Sequence, residues 1–113
     1  MAIADYDADS DSLAVSLSGK KSSGAIEMGD IIVDFDHNRE LAGIELLNAS
    51  DLLTKLTGRH VTSATLQHIE TCELQVKQTS HTLVVTILLR TATGEITTPI
   101  AVPALAERQL AAA

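Results

Sequence analysis

The stretch IIVDFDHNRELAGIELL, residues 31–47, decides the fold. Its first part places apolar side chains at every second position from Ile31 to Phe35, and its last part repeats this at Ile44 and Leu46. Because side chains alternate between the two faces of a strand, each part predicts a strand with one buried face. Residues 36–39 between them include Asp and Asn, which favour turns. The stretch therefore predicts an antiparallel hairpin.

Further strands are predicted on both sides of this hairpin. Residues 13–18 alternate apolar and small polar side chains, and residues 72–77 repeat the alternation. Residues 83–89 are apolar almost throughout, which predicts a strand covered on both faces. Residues 95–102 predict a last strand, which Pro99 confines to an edge or a bulge.

One short helix is predicted near residues 50–57. Asn48 or Ser50 would cap its start, and Asp51 suits the positive end of the helix dipole. Gly58 would end it in a left-handed conformation. A helix of about two turns is unstable alone, so we expect it to pack on the sheet.

These elements predict an α+β fold, a mainly antiparallel β-sheet in a meander of hairpins with one short helix. The length of 113 residues suits a single domain over residues 1–113. Its later part, residues 54–113, is interpreted either as a β-rich extension or as a diverged second copy of the first half. Both halves carry an alternating strand, an apolar strand, a turn and a return strand.

Charge is distributed unevenly along the chain. Residues 1–51 hold eleven acidic residues against three basic ones, a net of −8, whereas residues 52–113 hold four against five, a net of +1. An acidic half repels phosphate, so we expect no nucleic-acid partner. Either this half attracts a basic protein partner, or the acids only keep a β-rich protein soluble.

Secretion and membrane insertion are not expected. Residues 1–7, MAIADYD, lack the basic start and apolar core of a signal peptide. No stretch approaches the roughly 18 apolar residues of a membrane span. The single cysteine, Cys72, excludes an internal disulfide. We therefore expect a cytoplasmic protein.

Alternate acidic residues near the N-terminus resemble part of a calcium loop, in which alternate carboxylates point at the ion. They are Asp5, Asp7, Asp9 and Asp11. The rest of the pattern fails, because Ser12 stands where the loop needs glycine and Ser18 where it needs a bidentate acid. We expect instead an Asp- and Ser-rich turn that opens the first strand.

Other candidate groups also lack the arrangement that chemistry requires. Asp34, Asp36 and Glu45 are expected on the solvent face of the hairpin, without a pocket to shift their pKa values. The four histidines, at 37, 60, 68 and 81, lack metal-ligand spacing. Cys72 is expected to be a small core residue, with a Cys–His dyad as an open alternative. We assign no catalytic, cofactor-binding or metal-binding residue and expect no cofactor.

Several of these segments together resemble a known family. They are Tyr6-Asp7, residues 11–17 (DSLAVSL), residues 30–36 (DIIVDFD) and residues 41–50 (LAGIELLNAS). The order is similar to that of the small bacterial and archaeal family called domain of unknown function 2283. The resemblance covers about residues 5–53. It implies a small antiparallel β fold with one helix, and it implies no activity, because the family has none assigned.

Two classes of function remain from the sequence. The first is a non-enzymatic protein–protein interaction module, with neutralisation of a basic, toxin-like partner as one version. The alternative is a small metal-assisted enzyme that uses the N-terminal acidic cluster. Since ligand spacing and a phosphate-binding glycine loop are missing, we expect the first class and no enzymatic activity.

A homodimer is also expected from the sequence. In the strand at residues 83–89, one face joins the core, and Val84 and Leu88 on the other face still need cover. Soluble monomers usually avoid such patches, and a two-fold dimer is the commonest way to bury one. The rival explanation is that residues 104–113 fold back over the patch.

Overall fold

The structure, a computed structural model, describes residues 1–103. Within these residues the chain forms eight strands and two short helices. In chain order they are β1 (Ala2–Asp7), β2 (Ser12–Leu17), β3 (Gly24–Met28), β4 (Ile31–Phe35), β5 (Leu41–Leu46), α1 (Ala49–Thr57), α2 (Ser63–Leu66), β6 (Ile69–Gln78), β7 (Thr82–Thr91) and β8 (Gly94–Pro103). The predicted cover from residues 104–113 lies outside the described residues.

The strands form two antiparallel sheets, which confirms the predicted fold class. The five-stranded sheet has the order β1-β2-β5-β4-β3, and the three-stranded sheet has the order β6-β7-β8. The smaller sheet is a simple meander with Pro99 on an edge strand, as predicted. In the larger sheet, β5 lies between β4 and β2, so its middle is built from strands distant in sequence.

The predicted hairpin is confirmed as β4 and β5. Val33 pairs with Ile44 and Ile31 with Leu46, and the register shifts between Asp34 and Phe35. The same β5 residues pair on their other side with β2, Ile44 with Val15. Both edges of β5 are therefore hydrogen-bonded, and its inward side chains lie at the centre of the sheet.

Both sheets turn their apolar faces toward one shared core. The larger sheet contributes Leu13, Val15, Val33, Phe35, Ile44 and Leu46, all predicted, and the smaller one contributes Leu83, Val85, Ile87, Leu89, Ile96, Ile100 and Val102. Leu53 of α1 and Leu66 of α2 pack against the same cluster. Burial at about 25 cal/mol per Å² of apolar surface makes this cluster the main stabilising feature.

Helix α1 begins and ends close to the predicted positions. Gly58 ends it with φ of 70°, and its N–H donates to the Thr54 carbonyl. At the other end Asn48 occupies the N-cap position, but its side chain makes no capping bond. The predicted N-cap position of Asn48 is therefore confirmed, but the capping side chain comes from another part of the chain, as described below. No helix among residues 1–103 is long and apolar enough to cross a bilayer.

Two short elements differ from the sequence prediction. Residues 63–66 form one helical turn, α2, which was not predicted from the sequence. The Thr62 side chain caps this turn by accepting a hydrogen bond from Thr65 N–H. Residues 2–7 form strand β1 where an Asp-rich turn was expected. In β1 the inward positions are Ala2, Ala4 and Tyr6, which pack against the core. Pairing with β2 outweighs the low strand propensity of aspartate.

Candidate functional site

The outer face of the five-stranded sheet carries five carboxylates, and we call this surface the acidic face. Its acidic residues are Asp5, Asp7, Glu27, Asp34 and Glu45. Each stands next to an inward residue of its strand, so the period-two alternation turns it outward. Strands β1–β5 contain no Lys, Arg or His, so no basic residue of the sheet balances this charge.

The strand register arranges three of these carboxylates in one row across all five strands. Asp5 pairs with Ala14, Ala14 with Glu45, Glu45 with Ile32, and Ile32 with Glu27. Neighbouring strands lie about 4.8 Å apart, so the acids of the row stand about 10 Å from one another. A small or aliphatic side chain separates each acid from the next.

Close contact perturbs one member of the acidic face. A side-chain hydrogen bond with Asp34, together with desolvation and the negative charge of Asp34, raises the pKa of Glu45. Two carboxyls that share a site resist losing both protons. A positive charge beside them would lessen this repulsion.

The next row of the acidic face is flat at its centre. Ser16 pairs with Gly43, and Gly43 pairs with Asp34. A Cβ added to Gly43 would lie 2.8 Å from the Val15 carbonyl oxygen, so only glycine fits here without a shift. Gly43 is buried by this close approach of β2, and it leaves the row without a side chain between Ser16 and Asp34.

Asp36 does not join the acidic face, contrary to the sequence expectation. It is only 7 % exposed, and its Oδ1 accepts hydrogen bonds from the backbone N–H groups of Asn38 and Glu40. Its Oδ2 binds the Lys20 ammonium at 3.0 Å. The Glu40 bond, assisted by Lys20 and Asn38, outweighs desolvation and lowers the pKa of Asp36. Asp36 therefore holds the β4–β5 turn.

The four N-terminal aspartates are not brought together. Asp5 and Asp7 lie on the acidic face, and Asp9 lies in the β1–β2 turn, where its N–H donates to Asp7 Oδ1. Asp11 points the other way, toward α1. Among residues 1–103, no group of three or more His, Cys, Asp or Glu side chains is arranged to hold a metal ion.

Asp11 is instead the centre of a hydrogen-bond network that sequence analysis missed. Its carboxylate accepts bonds from the Ser50 N–H, the Ser50 hydroxyl and the Tyr6 hydroxyl, and its carbonyl accepts one from the Ala49 N–H. Tyr6 Oη also lies 2.9 Å from Ser63 Oγ. Burial opposes ionisation of Asp11, but these bonds outweigh it and lower the pKa of Asp11. No local pattern connects these residues, so sequence alone offered no way to find the network.

The cysteine and the histidines occupy separate places. Cys72 lies half-buried on β6, and desolvation raises the pKa of its thiol, which disfavours the reactive thiolate. His37, His60, His68 and His81 are exposed and lie in four different connections between elements. This arrangement offers no support for a Cys–His dyad.

Two open depressions are lined mainly by the second half of the described chain, and the first of them also by Met1 and Ala2. A groove of about 690 Å³ is lined by Glu73, Leu88, Thr97 and others at one end of the smaller sheet. A cleft of about 350 Å³ lies between the end of α1 and the β7–β8 turn. In that cleft Arg59 donates to the Glu95 carbonyl, and the Glu95 carboxylate binds Arg90. The charged groups of Arg59 and Glu95 therefore already have partners within the protein.

Comparison with known proteins confirms the resemblance and assigns no function. Residues 4–50 match the model of the family described as "Protein of unknown function (DUF2283)". The chain is also 48 % identical over 48 residues to the Uncharacterized protein MJ0789 of Methanocaldococcus jannaschii. That match covers 42 % of this chain and 41 % of the relative, so the chain spans about two fifths of the relative's length. No solved structure matches.

The family match coincides with a structural unit. Residues 4–50 contain most of β1 and all of β2, β3, β4 and β5, and they end at Ser50. The segment therefore includes both the acidic face and the Asp11–Ser50 contact. The three-stranded sheet lies outside it.

Proposed function

We propose that this chain is a non-enzymatic protein–protein interaction module that binds a basic protein through the acidic face. The observation that carries the proposal is the cross-strand row of Asp5, Glu45 and Glu27, formed on strands without a basic residue. Flat sheet surfaces with one sign of charge steer oppositely charged partners and fix their orientation.

The spacing within the row suits lysine and arginine side chains. Ala14 and Ile32 lie between the carboxylates of the row. Long basic side chains lay their methylene groups on apolar surface while the charged end reaches a carboxylate. Each carboxylate would then meet one cation, with aliphatic contact between them.

The partner's charge also relieves a local cost. Because Asp34 raises the pKa of Glu45, ionising this pair is unfavourable in the free protein. A bound cation lowers that cost, so binding at a pH where Glu45 is partly protonated should release protons. Calorimetry in two buffers of different ionisation enthalpy measures this release directly.

The alternative explanation is that the acidic residues only keep the protein soluble, and it predicts no surface specialised for binding. Acids placed only for solubility would be replaceable anywhere on the surface with equal effect. The test therefore compares the row with exposed acids elsewhere. The row variant is Asp5→Asn, Glu27→Gln and Glu45→Gln, and the matched control is Asp9→Asn, Asp30→Asn and Glu70→Gln.

Both triple variants remove three negative charges and differ only in place. Proteins captured from native lysate by the parent chain are identified, and binding of each basic candidate is measured by calorimetry at several salt concentrations. The proposal expects a basic partner that the control retains and the row variant loses, with affinity that falls as salt rises. Equal losses in both variants would reject a dedicated face.

A narrower form of the proposal is neutralisation of a basic, toxin-like partner in the cytoplasm. It rests on the small size, the acidic charge and a half-buried free thiol at Cys72, which suits a reducing compartment. Growth after co-expression with the identified partner tests it. Relief of toxicity by the parent but not by the row variant supports neutralisation.

A further inference from the structure

The outer face of the three-stranded sheet has an apolar centre. Leu83, Val85, Ile87 and Leu89 of β7 are buried in the core, whereas Val84, Thr86 and Leu88 on the opposite side of the strand remain half-buried. On the neighbouring β8, Thr97, Pro99 and Ala101 are exposed beside them. We call this surface the β7 face. The prediction that this strand is covered on both faces does not hold within residues 1–103.

The β7 face differs in charge from the rest of the protein. The strand register places four charged residues on it: Glu73, Lys77, Arg90 and Glu95. Their charges cancel, and Arg90 already binds Glu95 at 2.6 Å. Two copies of a chain with net charge −7 repel each other over the acidic face. The β7 face is a surface on which they can approach without that repulsion.

The charges on β6 are also placed symmetrically about a row of neutral residues. Gln75, Thr86 and Pro99 pair across the three strands and form that row. On one side of it Glu73 pairs with Leu88, and on the other side Lys77 pairs with Val84. Both pairs lie two residues from the row, so a half-turn about it exchanges the two positions.

From this arrangement we infer that two copies of the chain stack their β7 faces about a two-fold axis along the Gln75–Thr86–Pro99 row. The half-turn places Lys77 of the second copy over Glu73, and Val84 of the second copy over Leu88. The same contacts occur twice, as a two-fold interface requires. Sheets that pack face to face keep their strands nearly aligned, which this axis allows.

The groove described above fits the same arrangement. It lies at the end of the face that carries Glu73 and Leu88, and it has a volume of about 690 Å³. The half-turn brings Val84 and Lys77 of the second copy to this end. An aliphatic side chain and a lysine stem would therefore enter the groove from each copy.

The size of the face predicts a reversible dimer. Three strands about 4.8 Å apart and about 30 Å of shared strand length give a footprint of roughly 430 Å² per copy. Two such footprints make roughly 860 Å², somewhat below the about 1,000 Å² that specific interfaces bury in total, and this is the range of weak, transient contacts. We expect the dimer to dissociate in the micromolar range.

Charge reversal with rescue tests the axis. Sedimentation velocity of the full chain, from low micromolar to near-millimolar concentration, should show a species of twice the 12.0 kDa mass of one chain. Glu73→Lys places two lysines opposite each other and should weaken the dimer about tenfold or more. Lys77→Glu should weaken it similarly, and the double variant should restore the parent dissociation constant.

The control separates this geometry from net charge. Glu27→Lys on the acidic face makes the same change in net charge as Glu73→Lys. Because it makes the net charge of −7 less negative, it should leave the affinity of the dimer unchanged or slightly higher. Val84→Lys with Leu88→Lys should abolish the dimer, and circular dichroism checks that this variant folds. A single-chain mass at every concentration overturns the inference. So does a dimer that Glu73→Lys leaves intact, or one that the double swap fails to restore.

Discussion

Asp11 caps α1 although 39 residues separate it from its partner: Asp11 Oδ2 accepts a 2.7 Å hydrogen bond from the Ser50 hydroxyl. The backbone N–H of Ser50 lies 3.2 Å from both carboxylate oxygens. A negative charge at a helix N-terminus also interacts favourably with the helix dipole. The β1–β2 turn and the start of α1 are therefore held together by one side chain.

Substitutions at Asp11 should distinguish the stability that the helix cap contributes from the cost of the left-handed backbone conformation. Asp11 has φ of 53°, which Gly adopts freely, Asn tolerates and Ala does not. We expect Asp11→Asn to cost about 0.5 kcal/mol, Asp11→Gly about 1 kcal/mol and Asp11→Ala about 2 kcal/mol of unfolding free energy. Urea denaturation measures all three. Equal losses for Gly and Ala would show that backbone strain contributes nothing here.

Leu46 should be a main determinant of core stability. It is 0 % exposed and lies between Leu13 and Ile31 in the register. Leu46→Ala should lower the free energy of unfolding by about 2–5 kcal/mol, because truncation leaves a cavity. The neighbouring Leu47 is 37 % exposed, and Leu47→Ala should cost under about 1 kcal/mol. Similar losses at both positions would contradict the assigned face of β5.

Gly43 should not tolerate a side chain. The added Cβ of Gly43→Ala would lie 2.8 Å from the Val15 carbonyl oxygen and push β5 away from β2. We expect a loss of about 1–3 kcal/mol in thermal or chemical unfolding, typical of overpacking. Ser16→Ala on the facing strand is the control and should change stability by under about 0.5 kcal/mol.

Glu45 should make stability depend on pH with a defined sign. Its pKa is raised in the folded state, so folding favours the protonated form, and stability is lost as pH rises from about 4.5 through the raised pKa. Glu45→Gln removes this loss. At pH 7 the free energy of unfolding of the variant should exceed that of the parent by about 0.5 kcal/mol or less, since the site is partly solvated. Below pH 4 this difference in stability should disappear. An equal difference at both pH values would show that the effect has a cause other than ionisation of Glu45.

Metal ions should leave the stability of the protein unchanged. Asp7 and Asp9 can be replaced together by Asn, but Asp11 must be kept because it caps α1. Melting temperatures of the parent and this variant should not rise when calcium, magnesium or zinc is added. An increase in the parent that the variant lacks would revive the metal-assisted alternative.

The sequence by itself determined the hairpin β4–β5, the strands β2, β6, β7 and β8, their inward faces and the helix α1, but not β1 or α2. Alternation at residues 13–17 and 31–47 identified Leu13, Val33 and Ile44 as core residues, and the structure buries all three. Such patterns are local, because the geometry of a strand links each residue to its second neighbour. The same locality explains why Gly58 was recognised as the end of α1.

Only the tertiary structure decided which polar residues meet. The order β1-β2-β5-β4-β3 brings Asp5, Glu45 and Glu27 into one row, although they come from three strands separated along the chain. It also turns Asp11 toward Ser50 and away from Asp7, although alternation along the sequence grouped the two aspartates. A strand's own pattern fixes which side chains face outward. Which outward side chains become neighbours depends on long-range pairing, whose register is set by how the whole core packs.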